Sequence, residues 1–403
     1  MKILFVNTLY SPHIGGGAEV ILKSLVEGVA EQGHEVCVLT TCADDGIHIE
    51  KIDGIKVIRV GIKNIYWNYK AEKKTALHRM FWHLRDIYNP GMAAMAAEIL
   101  REFQPDIVNT HNVVGFSAAI WPVIRKHGVP IVQVLHDQYA LCPTSTMFKG
   151  SQRCETQCAK CKIFRIPHKT LSNNVDCIVG VSDFVLKHHL RNGLFTQAKV
   201  KTSIINAKSF KSVSVPQPLA DRKNVRFGYI GGLVLGKGVE LLLKTFAGLV
   251  ELTDISLVIA GSGSTDYVQE LEKFKSKQIA FLGYCSPEVF FSNIDVLVVP
   301  SLWNDTLPTV VFESLMNGIP VIGSSRGGIP EMIEDGKNGF LFDPDRPEEL
   351  AALIRKIAHR PALLDGMQLA ALQSAPRFGD MKAWIGQYIE LFQQLVEKNE
   401  KFS

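Results

Sequence analysis

Short apolar runs alternate with longer amphipathic stretches along the whole chain. In the first half the predicted strands are 3–6, 36–40, 57–60, 107–110, 131–135, 177–181 and 203–205. The first amphipathic stretch, 20–29, has a 3.6-residue periodicity and ends before Gly33, which is typical of a helix and its stop. Because the strands are apolar throughout and helices lie between them, the pattern predicts a parallel sheet covered on both faces.

The alternation is interrupted once and then resumes. Residues 207–225 are polar, contain two prolines and show no periodicity, so they are predicted to be a linker. The strands predicted beyond it are 227–230, 256–260, 279–282, 296–299, 320–323 and 340–342. Helices are predicted to begin near Val239, Asp266 and Thr309, and 384–396 carries the apolar stripe of a long closing helix.

The fold class is therefore α/β, with two units of similar size. The predicted domains are 1–207 and 208–379, with a C-terminal helix over 380–400 that returns to the first domain. Open parallel sheets bind ligands at the carboxyl ends of their strands, so the active site is expected in the cleft between the two units.

Composition narrows the function. The 403 residues contain 44 Lys and Arg against 40 Asp and Glu, a balance that argues against a nucleic-acid partner. No secretory signal and no 18-residue apolar run is present, so a cytoplasmic protein is expected, either soluble or peripheral on the inner face of the membrane. The eight cysteines are then expected to be thiols or metal ligands.

The net charge of +4 has a location. Residues 62–86 carry six basic and two acidic residues, an excess equal to the whole net charge. The bases alternate with aromatic residues, which are Tyr66, Trp67, Tyr69, Phe81 and Trp82. The segment is either a solvated helix whose aromatic residues join the core, or a face for an anionic membrane, where each base adds about 1 kcal/mol, or for a charged carbohydrate.

Two glycine-rich loops each follow a predicted strand and precede a helix. Gly15 to Gly17 open the first helix, where exposed N–H groups suit an anion such as a phosphate, and a plain tight turn is the alternative. Gly231 and Gly232 follow the first strand of the second half, and Lys237 stands at the next helix start. Lys237 is either a phosphate ligand or a solvated lysine beside a helix cap.

Two acidic residues follow a later strand. Asp305 lies in a strand-to-helix turn, Pro308 suits the first helical turn, and Glu313 falls one turn inside the helix among apolar residues. A buried carboxylate needs partners, and these are either sugar or ribose hydroxyls or a local salt bridge. Another glycine turn, 327–331, follows.

Together these motifs resemble the retaining glycosyltransferases of family four over nearly the whole chain. The order is specific: Gly-Gly-Ala-Glu at 16–19, an acid pair with seven residues between Asp305 and Glu313, and Gly-Gly-Ile-Pro-Glu at 327–331. The resemblance implies the GT-B architecture, in which two Rossmann-like, doubly wound domains face each other across a cleft.

The resemblance also implies roles for individual residues. Catalysis would depend on His136, Asp305 and Glu313, with Glu313 on the ribose of a nucleotide sugar and Asp305 on its sugar. The donor-binding residues would be Gly16, Gly17, Gly231, Lys237, Gly263, Tyr284, Thr306, Leu307, Pro308, Thr309, Val310 and Glu313. The acceptor-side residues would be Glu19, His111, His136 and Asp137.

The chain departs from the family pattern at two positions. Asp305 stands where glutamate is usual, and Gly232 stands where many members have arginine. Either Lys237 holds the diphosphate with helix N-termini, or another base such as Arg326 contributes.

The resemblance implies a mechanism of front-face attack with retention and without a metal, in which the diphosphate takes the acceptor proton. The one Asp-x-Asp sequence, Asp343 to Asp345, could indicate a metal, but a turn that caps the helix from Pro347 explains it better.

Four cysteines lie within twenty residues: Cys142, Cys154, Cys158 and Cys161. Four thiolates suffice for a structural zinc site in this polar excursion from the first domain. Free thiols in a mobile loop and a labile disulfide are the alternatives.

The sequence thus predicts a retaining, metal-independent glycosyltransferase. It would move a sugar from a UDP- or GDP-sugar to a lipid-linked or polysaccharide acceptor in cell-surface glycan biosynthesis, with possible membrane contact through 62–86. A nucleotide-sugar epimerase and a non-catalytic nucleotide-sugar-binding subunit are the alternatives.

Overall fold

The structure of the protein is a computed structural model that describes residues 1–69, 74–209 and 224–400. Most of the predicted linker 207–225 lies outside the described residues, as do Lys70, Glu72 and Lys73 of the basic segment. The chain divides into two compact units. The first comprises the described residues of Met1–Met147, Glu155–Lys208 and Met381–Ser403, and the second those of Phe148–Cys154 and Ser209–Asp380.

The described residues form sixteen strands and fifteen α-helices. The strands are β1 (Lys2–Val6), β2 (Glu35–Cys42), β3 (Ile47–Ile52), β4 (Ile55–Gly61), β5 (Ile107–Thr110), β6 (Ile131–Leu135), β7 (Phe148–Lys149), β8 (Gln152–Arg153), β9 (Cys177–Gly180), β10 (Val200–Ser203), β11 (Val225–Ile230), β12 (Ile255–Ala260), β13 (Ile279–Gly283), β14 (Val296–Val299), β15 (Val321–Ser324) and β16 (Gly339–Phe342). The helices are α1 (Gly17–Glu31), α2 (Ala76–Arg85), α3 (Pro90–Phe103), α4 (Ile120–Lys126), α5 (Ala159–Phe164), α6 (Ile166–Leu171), α7 (Asp183–Arg191), α8 (Val239–Ala247), α9 (Thr265–Glu272), α10 (Pro287–Phe291), α11 (Thr309–Met316), α12 (Pro347–His359), α13 (Leu363–Ser374), α14 (Pro376–Gly379) and α15 (Met381–Glu400).

The first unit is built on an eight-stranded sheet of order β10-β9-β6-β5-β1-β2-β4-β3. Every neighbouring pair is parallel except β3 and β4. The central strand β1 is apolar from Ile3 to Val6 and fully buried there, which confirms the predicted parallel sheet. The strand predicted at 203–205 has the wrong bounds: β10 spans Val200–Ser203 and overlaps it at Ser203 alone, because this edge strand has one partner and needs no apolar run.

The second unit is built on a six-stranded parallel sheet of order β13-β12-β11-β14-β15-β16. The predicted strands are confirmed, and helices α8 and α11 begin at Val239 and Thr309 as expected. The core between sheet and helices includes Phe227, Leu242 and Leu257, each with no exposed surface. Strands β12 and β14 lie on opposite sides of β11, so the strand order reverses at the β11–β14 boundary.

The closing helix α15 packs on α1 within the first unit. Its apolar stripe is buried through Trp384, Tyr388 and Phe392. The two helices approach closely at Gly28, where an added Cβ would come within 2.1 Å of the Ile385 side chain. None of the helices in the described ranges is long and apolar enough to cross a membrane.

Candidate active site

In the second unit the glycine loop and the acidic loop predicted from the sequence follow adjacent strands. The glycine loop, 231–238, follows β11, and the acidic loop, 300–308, follows β14. These strands flank the point where the strand order reverses, which is where open α/β sheets bind ligands. The fold therefore brings Lys237 and Asp305, which are 68 residues apart in the sequence, to one edge of the sheet.

Lys237 and Asp305 form a direct ion pair at this edge. The Lys237 Nζ donates to Asp305 Oδ2 at 2.5 Å, and the Ser301 hydroxyl donates to the same oxygen at 3.2 Å. The Lys237 ammonium also lies 5.4 Å from the centre of the Trp303 ring. The pair is half-buried, with 27% of the Lys237 side chain and 12% of the Asp305 side chain exposed. A cation is thus held next to a carboxylate, a combination that suits a diphosphate joined to a polyhydroxylated sugar.

Glycines allow these loops to pack backbone against backbone. Gly238 has φ +72°, and a Cβ there would lie 1.8 Å from the carbonyl oxygen of Pro300. Gly327 has φ +61°, and a Cβ there would lie 1.8 Å from the carbonyl oxygen of Asp305. The next N–H, of Gly328, donates to that same oxygen at 2.7 Å. The predicted glycine turn after β15 therefore positions Asp305 through its backbone.

The other donor-binding residues predicted in the second unit also follow the carboxyl ends of its strands, whereas Gly16 and Gly17 lie at the start of α1 in the first unit. Glu313 lies in the second turn of α11 and is 8% exposed. Thr306 to Val310 connect Asp305 to that helix, and Leu307 and Pro308 are buried. Gly263 follows β12 and contacts the backbone of Leu233 in the glycine loop, whereas Tyr284 follows β13 and is 85% exposed.

Arg326 is engaged by the Asp-x-Asp sequence. Its Nη2 donates to Asp343 Oδ1 at 2.9 Å and to Asp345 Oδ2 at 2.6 Å, and its side chain is 5% exposed. Arg326, which the sequence suggested as another diphosphate ligand, is therefore already paired with two carboxylates. Helix α12 begins at Pro347 as predicted, but the predicted capping is wrong: the Asp343 carboxylate accepts the N–H of Asp345, which lies before the helix.

In the first unit, two histidines at the carboxyl ends of β5 and β6 form a hydrogen-bonded pair. His111 Nδ1 and His136 Nε2 are 2.8 Å apart, and the rings stack at 21°. Asn109 donates its amide N–H to Val132 O, so its oxygen accepts from His111 Nε2 at 2.8 Å. His111 therefore carries its proton on Nε2, and its Nδ1 accepts the Nε2–H of His136.

Two carboxylates predicted for the acceptor side also lie at this edge of the first unit. Glu19 is buried near the start of α1 and accepts the N–H of Gly16 on Oε2 at 2.8 Å, so Glu19 holds the glycine loop in place. The Tyr139 N–H donates to Asp137 Oδ1 at 2.7 Å. Burial raises the pKa of Glu19 and raises that of Asp137 to about 6. Their contact with an acceptor stays a prediction.

The histidine pair gives a pH dependence of stability that can be measured. Burial lowers the pKa of His136 to about 4 from its ordinary 6.5. The unfolded chain therefore binds a proton before the folded protein does, and this contribution to stability is lost as the pH falls from about 6.5 to 4. We expect the melting temperature of the parent protein to fall more steeply over this range than that of His136→Gln, as followed by circular dichroism.

The raised pKa of Asp137 has the opposite effect, because stability it contributes is lost as the pH rises through about 6. The parent and the His136→Gln variant both contain Asp137, so its contribution cancels when their melting temperatures are compared. Equal slopes in the two proteins would contradict the assignment to His136.

A cleft of about 410 Å³ opens beside the glycine loop of the first unit. Its lining residues come from the loops after β1, β4 and β5 and from the basic segment, and they are Thr8, Leu9, Ile14, Gly15, Ile62, Trp67, Asn68, Tyr69, Trp82 and Val114. Trp67 Nε1 donates to Thr41 Oγ1 and Trp82 Nε1 donates to Tyr66 O, both at 2.9 Å, so both rings are fixed. The aromatic residues are evident in the sequence, but their position beside Gly15 is seen only in the structure.

None of the four clustered cysteines forms a disulfide in the structure, and neither do the other four, all eight being among the described residues. Cys142 Sγ and Cys161 Sγ lie 3.7 Å apart. Burial, and then the proximity of Cys142 and Cys158, raises the pKa of the Cys161 thiol. No group of three or more His, Cys, Asp or Glu side chains in the described part of the chain is arranged to hold a metal ion. The zinc assignment, with Cys154 as a fourth ligand, stays a prediction.

Similar proteins match this chain along most of its length. The family described as Glycosyltransferase Family 4 matches residues 15–202, and the family described as Glycosyl transferases group 1 matches residues 212–372. A 42.6 kDa protein of the cps region of Klebsiella pneumoniae is 30% identical over 333 residues, which cover 82% of this chain and 87% of that protein.

Solved structures show the same fold. Sucrose-phosphate synthase from Thermosynechococcus elongatus matches with a TM-score of 0.78 at 18% identity, over 98% of this chain and 99% of that chain. HepE from Anabaena, in complex with UDP-glucose, matches with a TM-score of 0.70 at 20% identity, over 98% of this chain and 100% of that chain. The architecture is therefore GT-B, with two Rossmann-like domains.

The fold, the loops at the carboxyl ends of the strands and these relatives define a nucleotide-sugar-dependent glycosyltransferase. The chain belongs to glycosyltransferase family 4, the glycosyl transferases group 1. The family resemblance drawn from the sequence motifs is confirmed.

Proposed function

We propose that this glycosyltransferase moves a sugar, with retention of configuration and without a metal, from a UDP- or GDP-sugar to a lipid-linked or polysaccharide acceptor. The observation that carries the proposal is the Lys237–Asp305 pair at the strand-order reversal of the second unit. The UDP-glucose bound by HepE supports the donor class. The cps-region relative supports a role in cell-surface glycan biosynthesis.

In this proposal each donor group has its own partner in the second unit. The Lys237 ammonium binds the diphosphate, and its positive charge replaces that of a metal ion. The Asp305 carboxylate accepts hydrogen bonds from sugar hydroxyls, which compete for it with Lys237 and Ser301. Glu313, buried in α11, accepts from the ribose hydroxyls.

The chemical step is a front-face substitution. The bond between the sugar's anomeric carbon and the diphosphate oxygen breaks, and the acceptor oxygen bonds to that carbon on the same face. The leaving diphosphate oxygen takes the proton of the acceptor hydroxyl. Lys237 stabilises the negative charge that develops on the diphosphate, and this is where most of the catalytic effect arises.

The acceptor is assigned to the first unit. The cleft beside Gly15 has aromatic walls, which suit the C–H faces of sugar rings, and Thr8 and Asn68 add polar groups. His136, His111, Asp137 and Glu19 are assigned to the acceptor side, His136 also as a catalytic residue. We further propose that residues 62–86 bring the enzyme to the inner face of the membrane, where a lipid-linked acceptor is presented.

Replacing Glu313 by alanine tests the donor site. Loss of hydrogen bonds to a charged group costs about 1.5–3 kcal/mol, so the KM for the donor is expected to rise about 10- to 100-fold. The change in kcat should be smaller, because the ribose does not react. Glu270→Ala is the matched control, since Glu270 is exposed on α9 and pairs with Lys273.

The donor itself is found by thermal shift with a set of nucleotide sugars, because a bound donor stabilises the folded protein. Product formation is then followed with the stabilising donor. An unchanged KM in Glu313→Ala would contradict the ribose assignment. Turnover of donor without any acceptor would indicate an epimerase instead, and donor binding without transfer to any acceptor would indicate a binding subunit.

A further inference from the structure

Helix α2 is half apolar and almost wholly exposed. Eight of its ten residues are exposed, and only Trp82 is buried. The exposed apolar side chains are Leu77 at 58%, Phe81 at 49%, Leu84 at 44% and Met80 at 41%. Soluble surfaces rarely group large apolar side chains in this way, and such a group usually marks an interaction site.

A second exposed apolar pair lies on the short helices α5 and α6. Ile163 is 63% exposed and Ile166 is 61% exposed. Together with α2, these segments hold six of the seventeen large hydrophobic residues that are exposed in the described part of the chain. No sequence pattern connects residues 159–171 with residues 74–85.

The structure connects them through Tyr139. Asp86, at the end of α2, accepts the Tyr139 hydroxyl at 2.7 Å, and the Arg165 guanidinium stacks 4.3 Å from the centre of the same ring. Burial is the main reason why the pKa of His83 on α2 is lowered, and the positive charges of Arg165 and Lys160 lower it further. Helices α2, α5 and α6 are therefore neighbours, and their exposed surface is named the α2/α5–α6 face.

The α2/α5–α6 face is basic without any acidic residue. Segments 74–85 and 159–171 contain seven basic residues and no Asp or Glu, in a chain with 44 basic and 40 acidic residues overall. The bases are Lys74, Arg79, Arg85, Lys160, Lys162, Arg165 and Lys169. Arg165 is buried, Lys74 is half-buried and the other five are exposed.

We propose that the α2/α5–α6 face binds a bilayer containing anionic lipids. The aliphatic and aromatic side chains enter the region between headgroups and acyl chains, while the bases pair with headgroup phosphates. This inference rests on the proposed membrane contact of residues 62–86 and extends it to α5 and α6. A second copy of this face is a poor partner, because it would bring six bases against six bases with no acid between them.

The test is flotation of the full-length protein with two kinds of vesicle, phosphatidylcholine alone and phosphatidylcholine mixed with phosphatidylglycerol. The charge variant is Arg79→Gln with Lys160→Gln and Lys162→Gln, and the apolar variant is Phe81→Ser with Ile163→Ser and Ile166→Ser. The control variant is Val250→Ser with Leu369→Ser, which removes two apolar side chains, 82% and 59% exposed, from the second unit.

The parent and the control are expected to float with anionic vesicles only. The charge variant should partition about 100-fold less, at about fivefold for each base, and high salt should weaken the parent in the same way. The apolar variant should lose the binding that remains at high salt. The proposal is overturned if the parent does not float with anionic vesicles, if neither variant differs from the control, or if the apolar variant instead abolishes a dimer seen by light scattering.

Transfer to a short water-soluble acceptor separates this inference from the proposed function. Both variants should transfer sugar to that acceptor as the parent does, because the changed residues lie outside the proposed donor and acceptor sites. If the parent floats with anionic vesicles but transfers no sugar, the proposed function fails and the membrane face stands.

Discussion

Replacing Lys237 by alanine is expected to lower the kcat of sugar transfer about 100- to 1,000-fold. Removal of one group that stabilises developing negative charge at a reaction centre typically has an effect of this size. Lys237 is the base that the structure places at the strand-order reversal, and Arg326, the other base considered, is engaged by Asp343 and Asp345. The effect should therefore fall on kcat, measured with the donor at saturation.

Two variants show whether the effect belongs to the charge at this position. Lys237→Arg keeps the charge and should recover part of the rate, although the guanidinium cannot reproduce the 2.5 Å contact to Asp305 in the same geometry. Lys244→Ala removes an exposed lysine that pairs with Glu240 on α8, so its kcat should stay within twofold of the parent. A full rate in Lys237→Ala would remove the diphosphate role from this residue.

The secondary structure could be predicted because it depends on local patterns. Strands such as β1 and β14 are apolar at nearly every position, and only a buried parallel sheet accommodates that. The sequence does not predict strand β3, because four of its six residues, 47–52, are exposed at the edge of the sheet and two of them, Glu50 and Lys51, are charged. Its position depends on pairing with β4, which no local pattern reports.

Candidate site residues could be named from the sequence, but the side chains they contact could not. Lys237 and Asp305 were each recognised from glycine turns and helix starts. Their ion pair joins loops that are distant in sequence, and the engagement of Arg326 by Asp343 and Asp345 follows from how the loops after β15 and β16 meet. Such contacts are set by packing of the whole sheet.

For the basic segment, 62–86, the sequence likewise predicts the location but not which side chains are buried. The sequence located the charge excess at 62–86 and left open whether its aromatic residues join the core. The structure divides them: Trp82 is 2% exposed, whereas Phe81, the adjacent residue, is 49% exposed. Adjacent helical residues point in different directions, so one helix supplies both a wall of the cleft and part of the α2/α5–α6 face.

Replacing Gly327 by alanine is expected to destabilise the second unit by about 3–5 kcal/mol, a loss at the upper end of what single substitutions cause. A left-handed conformation costs a residue with a Cβ about 1–2 kcal/mol. The larger part comes from overlap, since the Cβ would lie 1.8 Å from the Asp305 carbonyl oxygen and 2.7 Å from the Asp305 nitrogen. All the nearest atoms are backbone, so the loop must move and take Asp305 with it.

Gly336→Ala separates overlap from backbone conformation. Gly336 has φ +77°, similar to the +61° of Gly327, but no atom beyond its own two chain neighbours lies within 4 Å of its Cβ position. Gly336→Ala should therefore lose only the conformational part of the free energy of unfolding.

By calorimetry we expect a melting temperature about 10 °C lower for Gly327→Ala and a few degrees lower for Gly336→Ala. Sugar transfer, measured well below both transitions, should fall only in Gly327→Ala, because only there does the carboxylate that pairs with Lys237 move. Equal losses of stability in the two variants, or full transfer by Gly327→Ala, would show that the contact of this turn with Asp305 does not hold the site.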